Sequence, residues 1–208
     1  MIKKVPVAIA IALLFAVGYL AFSPSPVLAE GTEQATLYTA QNLWYEKPES
    51  MWCINYKTGT MIPAGTPVNK VGYSAIKAGR FQKAEAQAIS FERTADGMDF
   101  FVNFRADYHP GKTIQDYKDL FFTEKDFDAL TEGLTEKEID AIKRGVVVKG
   151  MSKRAVLISY GMPPEHKTPD LDAKKWLYWR NRFASKEICF DGDDKAVDCA
   201  TLQLEDEL

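Results

Sequence analysis

Catalysis in this chain would have to be assembled from very few groups. There are two histidines, His109 and His166, and three cysteines, Cys53, Cys189 and Cys199. A Ser-His-Asp site must use one of those two imidazoles. His109 precedes a Pro-Gly turn, His166 lies in a polar stretch, and neither is near a nucleophile-elbow pattern. A thiol nucleophile at Cys53, served by either histidine, is the other arrangement. Its neighbours give it no support, and Cys53 reads better as a small buried hydrophobe. No pair of Cys or His has metal-ligand spacing. Asp191-Gly192-Asp193-Asp194 superficially matches a calcium loop, but it lacks the alternating ligands and distal glutamate and suits a tight turn. No Gly-rich phosphate loop is present. The expectation is no catalytic residue, no metal and no cofactor.

Binding chemistry is better represented. Trp176, Tyr178, Trp179, Arg180 and Arg182 crowd one short segment. Strand alternation puts Trp176, Tyr178 and Arg180 on one face and Leu177, Trp179 and Asn181 on the other. One set must be core; the other leaves a large ring beside arginine, which suits either a two-sided packed sheet or a partner-binding face. A second aromatic group, Trp44, Tyr45, Trp52 and Tyr56, offers a groove for a glycan or peptide.

These residues must be positioned by short elements. Residues 36–105 carry strand signals at Thr36–Thr39, Met51–Tyr56, Met61–Val68, Ala88–Arg93 and Asp99–Arg105, with a hairpin at Asp96-Gly97. Residues 113–144 switch to helical spacing through Ile114, Tyr117, Phe121 and Phe122. Helix starts are expected at Thr123–Asp126 and, with a full capping box, at Thr135–Glu138. Val146–Val148 is expected to be a short buried strand or an extended entry to the next helix. Ser152 then caps a helix bearing Val156, Leu157 and Tyr160, which Gly161, Pro163 and Pro164 end. Two strands around a polar turn follow.

The run Gly150-Met151-Ser152, Val156-Leu157, Gly161, Pro163-Pro164, Trp176, Tyr178 and Phe190-Asp191-Gly192 resembles the BamE-like (SmpA/OmlA) envelope domains. The resemblance implies helices packed on a three-stranded antiparallel sheet, binding to other envelope components, and no catalytic residues. Asn55-Tyr56, Gly59 and Ile62-Pro63-Ala64-Gly65-Thr66 look like a bacterial SH3-like barrel, a class with many cell-wall-binding members. The expected class is therefore α+β. Residues 1–29 would be a signal peptide, 30–111 the SH3-like β-domain, 112–145 a helical connection, 146–204 the BamE-like domain, and 205–208 an acidic tail.

Lys3 and Lys4, the apolar stretch 5–22 and Val27-Leu28-Ala29 have the layout of a signal peptide cleaved near Ala29, which implies export to the periplasm or beyond. An uncleaved anchor at 5–22 is the competing reading, and only it would hold the protein at the membrane. No lipid-anchor cysteine lies near the N-terminus. Cleavage removes two lysines and shifts the net charge from −3 to −5. That balance argues against nucleic acid or an anionic membrane as the main partner and leaves an envelope protein or cell-wall component. In an oxidising compartment Cys189 and Cys199 are the natural pair. If Phe190 faces Val197, however, the two sulfurs fall on opposite sides of the sheet unless a bulge intervenes.

Overall fold

Alternating apolar residues and punctuating turns place the β-structure. The computed structural model describes residues 36–75 and 87–200; the signal segment, the stretch 5–22 and the tail 205–208 lie outside the described residues. Strands β1 (Leu37–Thr39), β2 (Leu43–Tyr45), β3 (Met51–Trp52), β4 (Thr60–Ile62), β5 (Pro67–Ala75), β6 (Gln87–Arg93) and β7 (Met98–Asn103) come first. Helix α1 (Ile114–Phe121), strand β8 (Phe122–Thr123), helices α2 (Phe127–Thr131), α3 (Glu136–Lys143) and α4 (Lys153–Tyr160), and strands β9 (Lys175–Asn181), β10 (Ala184–Phe190) and β11 (Ala196–Val197) follow. The chain is α+β.

A six-stranded sheet has the order β3-β7-β6-β5-β1-β8, and β2 pairs with β4 beside it. The hairpin between β6 and β7 turns at Gly97, whose φ of 68° suits the glycine there. Met51–Tyr56 is strand only over Met51–Trp52, which run parallel to Val102–Asn103. Asn55 stops the strand: it sits at φ 50° and turns the chain. Thr113 and Asp116 form a reciprocal cap at the start of α1. The helix start expected over Thr123–Asp126 falls at the last of these residues: Asp126 caps α2, because Phe122 and Thr123 pair with β1. Val146–Val148 has no strand partner; the segment is irregular and half-buried.

In the last third, β9, β10 and β11 form a three-stranded antiparallel sheet. Ser152 caps α4 by accepting from Ala155 N, and Gly161 ends the helix at φ 83°. A Cβ at Gly161 would lie 2.9 Å from the Gln41 side chain, so the glycine also permits a close approach. Two hydrophobic clusters fill the interior. Phe91 and Phe100 stack at 5.0 Å in the first, and Trp176 and Phe190 meet edge-on at 4.6 Å in the second. The clusters exchange residues: Ala64 belongs to the second, and Trp179 packs against the first.

The disulfide Cys189–Cys199 is formed. The strand register differs by one from the register that would have forbidden it. Phe190 faces Ala196 and Cys189 faces Val197. Cys199, two residues beyond Val197, then falls on the Cys189 side with no bulge needed.

Candidate functional site

The two aromatic groups have different fates. Trp176 and Tyr178 are buried toward the helices and are not part of an exposed face. The Tyr178 hydroxyl donates to the Gly161 carbonyl at 2.9 Å, and its ring meets Tyr160 edge-on at 5.4 Å. Burial pushes the Tyr178 phenol well above its ordinary range. Trp179, on the opposite face, is half-buried against the first cluster. Only Arg180 and Arg182 of this group are exposed. Strand alternation read the two faces correctly, but both faces are covered.

Trp44, Tyr45, Trp52 and Tyr56 instead line one cavity of about 140 Å³, together with Glu46, Lys47, Ser50, Met51 and Thr58. Trp52 is 42% exposed, and its ring lies 5.5 Å from that of Tyr56 at an interplanar angle of 44°. Tyr45 meets Phe100 edge-on at 5.1 Å. Aromatic walls with hydroxyls and charges among the lining groups suit a small polar ligand with an apolar face.

Local sequence explains the convergence. A short 3-10 turn, Pro48–Ser50, links β2 to β3 and carries Trp52 back beside Tyr45. Asn55 fixes the next bend. Its Oδ1 accepts from Trp44 N at 3.0 Å, and its Nδ2 donates to the Asn42 and Tyr160 carbonyls at 2.9 and 3.2 Å. Gly59, at φ 80°, passes so close to Tyr45 that a Cβ would lie 2.2 Å from the Tyr45 carbonyl oxygen. Ser50 accepts from Asn103 Nδ2 at 3.1 Å. Behind the cavity wall the Lys57 ammonium lies 3.9 Å from the Trp44 ring centroid and donates to the Tyr160 carbonyl, and desolvation holds its pKa well below the usual lysine range. Burial raises the Tyr56 phenol above its usual range, while the nearby Arg182 charge pulls it down.

Cys53 is fully buried, and burial pushes its thiol up to about 12. Its sulfur is therefore a protonated thiol at neutral pH. His109 is buried too. Its Nδ1 pairs with Glu165, and its ring lies 4.0 Å from Tyr117, whose hydroxyl donates to the Cys53 carbonyl. His166 packs on Tyr108 at 5.2 Å. Among the described residues no cluster of His, Cys, Asp or Glu is arranged to hold a metal ion, and no helix is long and apolar enough to cross a membrane. The Asp191–Asp194 segment is a turn: Asp191 Oδ1 accepts from Asp193 N and Lys195 N at 3.0 and 2.9 Å.

Sequence reasoning missed the polar lining residues Glu46, Lys47, Ser50 and Thr58. Pro48 beside two charged residues was the available signal, since it marks an exposed turn between two aromatic strands. No family model, no curated protein and no solved structure matches the chain.

Proposed function

We propose that this is an exported, non-enzymatic binding protein of the bacterial envelope, and that the cavity between Trp44, Tyr45, Trp52 and Tyr56 holds its ligand, a glycan or peptide of the cell wall. One observation carries this reading: four aromatic side chains, from two strands and a bend, meet around a single cavity. In this reading the β-rich residues 30–111 are an SH3-like module and residues 146–204 a BamE-like module. A capped helix running into a three-stranded antiparallel sheet supports the second assignment. The layout of residues 1–29 supports export, with cleavage near Ala29 and a periplasmic destination. Burial of Cys53 as a neutral thiol leaves the thiol-enzyme alternative without an activated nucleophile.

Protein–protein binding through Trp176, Tyr178, Trp179, Arg180 and Arg182 is less favoured, because the first two rings are spent in the core. Sedimentation with purified cell wall tests the proposal. The wild type is expected to pellet, and Trp52→Ala or Tyr56→Ala to lower the bound fraction about tenfold. Pelleting that is indifferent to both substitutions overturns the cavity as the ligand site.

A further inference from the structure

The hairpin joining β9 to β10 ends in a rigid, basic, aromatic tip. Asn181 Oδ1 accepts from Phe183 N at 2.8 Å and from Ala184 N at 3.0 Å, which locks the turn. Phe183 is 80% exposed, against 46% for Tyr73 and 42% for Trp52. The Arg182 guanidinium lies 4.4 Å from the Phe183 ring centroid. Arg180, Arg182 and Lys186 are exposed, and among the described residues none of them pairs with a carboxylate. Between Lys174 and Lys186 the chain carries five basic residues and no acidic one, within a sequence of net charge −3, and of the five Lys175 is paired with Glu187.

The shape and charge of this tip select among partners. A convex ring on a narrow turn would need a preformed pocket in a protein partner. A bilayer interface supplies no pocket and needs none, because the headgroup region deforms around a single ring. The Arg182 cation beside the ring can reach phosphates at the same depth. Net charge alone argues against an anionic surface, but the charge is segregated: the acidic remainder is repelled and the basic tip attracted, so the molecule approaches tip first.

We infer that the Arg182–Phe183 tip is a membrane-contacting element that docks on anionic phospholipid, with Phe183 at the headgroup boundary and Arg180 and Arg182 on the phosphates; Lys186, whose ammonium lies 5.5 Å from the Tyr160 ring, stays with the body. One ring and two cations give a weak, reversible contact.

Flotation with vesicles of phosphatidylcholine alone, or mixed with phosphatidylglycerol, tests this. Every variant is compared as the chain cleaved after Ala29, so that the apolar stretch 5–22 cannot mask a weak contact at the tip. Preferential, salt-sensitive binding to the anionic vesicles is expected. Phe183→Ser should lower the partition about tenfold, and Arg180→Gln with Arg182→Gln about twentyfold. Melting curves should stay unchanged, since these side chains are exposed. Phe183→Ser should keep wild-type sedimentation with cell wall, which separates the exposed ring from the aromatic cavity; Arg182, whose charge acts on Tyr56 of that cavity, does not make this separation. Equal binding to both vesicle types, or tip variants that float like the wild type, overturns the inference. If polyglutamate binds with the same variant sensitivity and anionic vesicles do not bind, the tip serves an acidic protein and the inference fails.

Discussion

Glu138 accepts two hydrogen bonds from Ser152, from the backbone amide at 2.8 Å and from the hydroxyl at 2.7 Å. Its other oxygen accepts from the amide and hydroxyl of Thr135 at 3.0 and 2.9 Å. A single carboxylate therefore completes the N-terminal caps of both α3 and α4 and holds the two helices in register. Burial alone would raise its pKa. Four donated hydrogen bonds outweigh that and hold it at about 2.

Acid should release this clamp. The folded-state pKa lies below the ordinary 4.5, so the unfolded chain takes up the proton first. The contribution is complete above about 4.5 and disappears as the pH falls toward 2. Glu138→Gln is expected to cost roughly 2 kcal/mol at neutral pH and to flatten the acid limb of stability. Urea midpoints across that pH range check both effects, and an acid limb as steep in the variant as in the wild type would contradict the clamp.

Asn42 should be among the costliest polar positions. It is fully buried. Its Oδ1 accepts from Ala64 N at 2.8 Å, and its Nδ2 donates to the Ile142 and Ser159 carbonyls at 2.7 and 3.2 Å. Asn42→Ala leaves three backbone groups without their partner in a buried site, for an expected loss of about 3 kcal/mol. Thermal melting of the variant should show a lowered midpoint with an unchanged far-UV spectrum at low temperature.

The two tryptophans should separate folding from binding. Trp179 packs on the first hydrophobic cluster, so Trp179→Ala is expected to destabilise by about 3 kcal/mol. Trp52 lies at the cavity and is 42% exposed, so Trp52→Ala should shift stability by less than about 1 kcal/mol while reducing cell-wall retention. Chemical denaturation of both variants checks the contrast, and a reversed order would relocate the site.

Thiol chemistry should distinguish the cysteines. Cys53 should resist alkylation at neutral pH, at a rate limited by opening of the fold. Reduction of Cys189–Cys199, which closes a loop with a sequence separation of 10, is expected to lower stability by about 2–3 kcal/mol. Mass-resolved labelling and melting with and without reductant read the two effects separately.

Local signals carried much of the architecture. The caps at Thr135 and Ser152, the turn at Gly97 and the stop at Gly161 are each written within a few neighbouring residues, and each stands where local chemistry puts it. Long-range pairing was the illegible part. Nothing near Phe122 says that β1 will claim it, and nothing near Glu138 points to Ser152. The same holds for the strand faces. Alternation separates Trp176 from Trp179, but only the first cluster lying against Trp179 decides that both are covered. The aromatic cavity was visible as a composition and not as a shape, because Asn55 and Gly59 bend the chain through dihedrals that no periodicity encodes.

The segment threading between the two clusters also sets a timetable. Ala40 N bonds to Phe121 O and Asn42 N to Ile158 O, at 2.8 and 2.9 Å, and Asn42 Nδ2 reaches a carbonyl 100 residues ahead. Residues 40–42 thus wait for partners at 121, 142 and 158, and such distant closure is slow. Contacts that close over 100 residues or more cannot set until the distant partner is in place, so this edge of the body is among the last parts to become fixed.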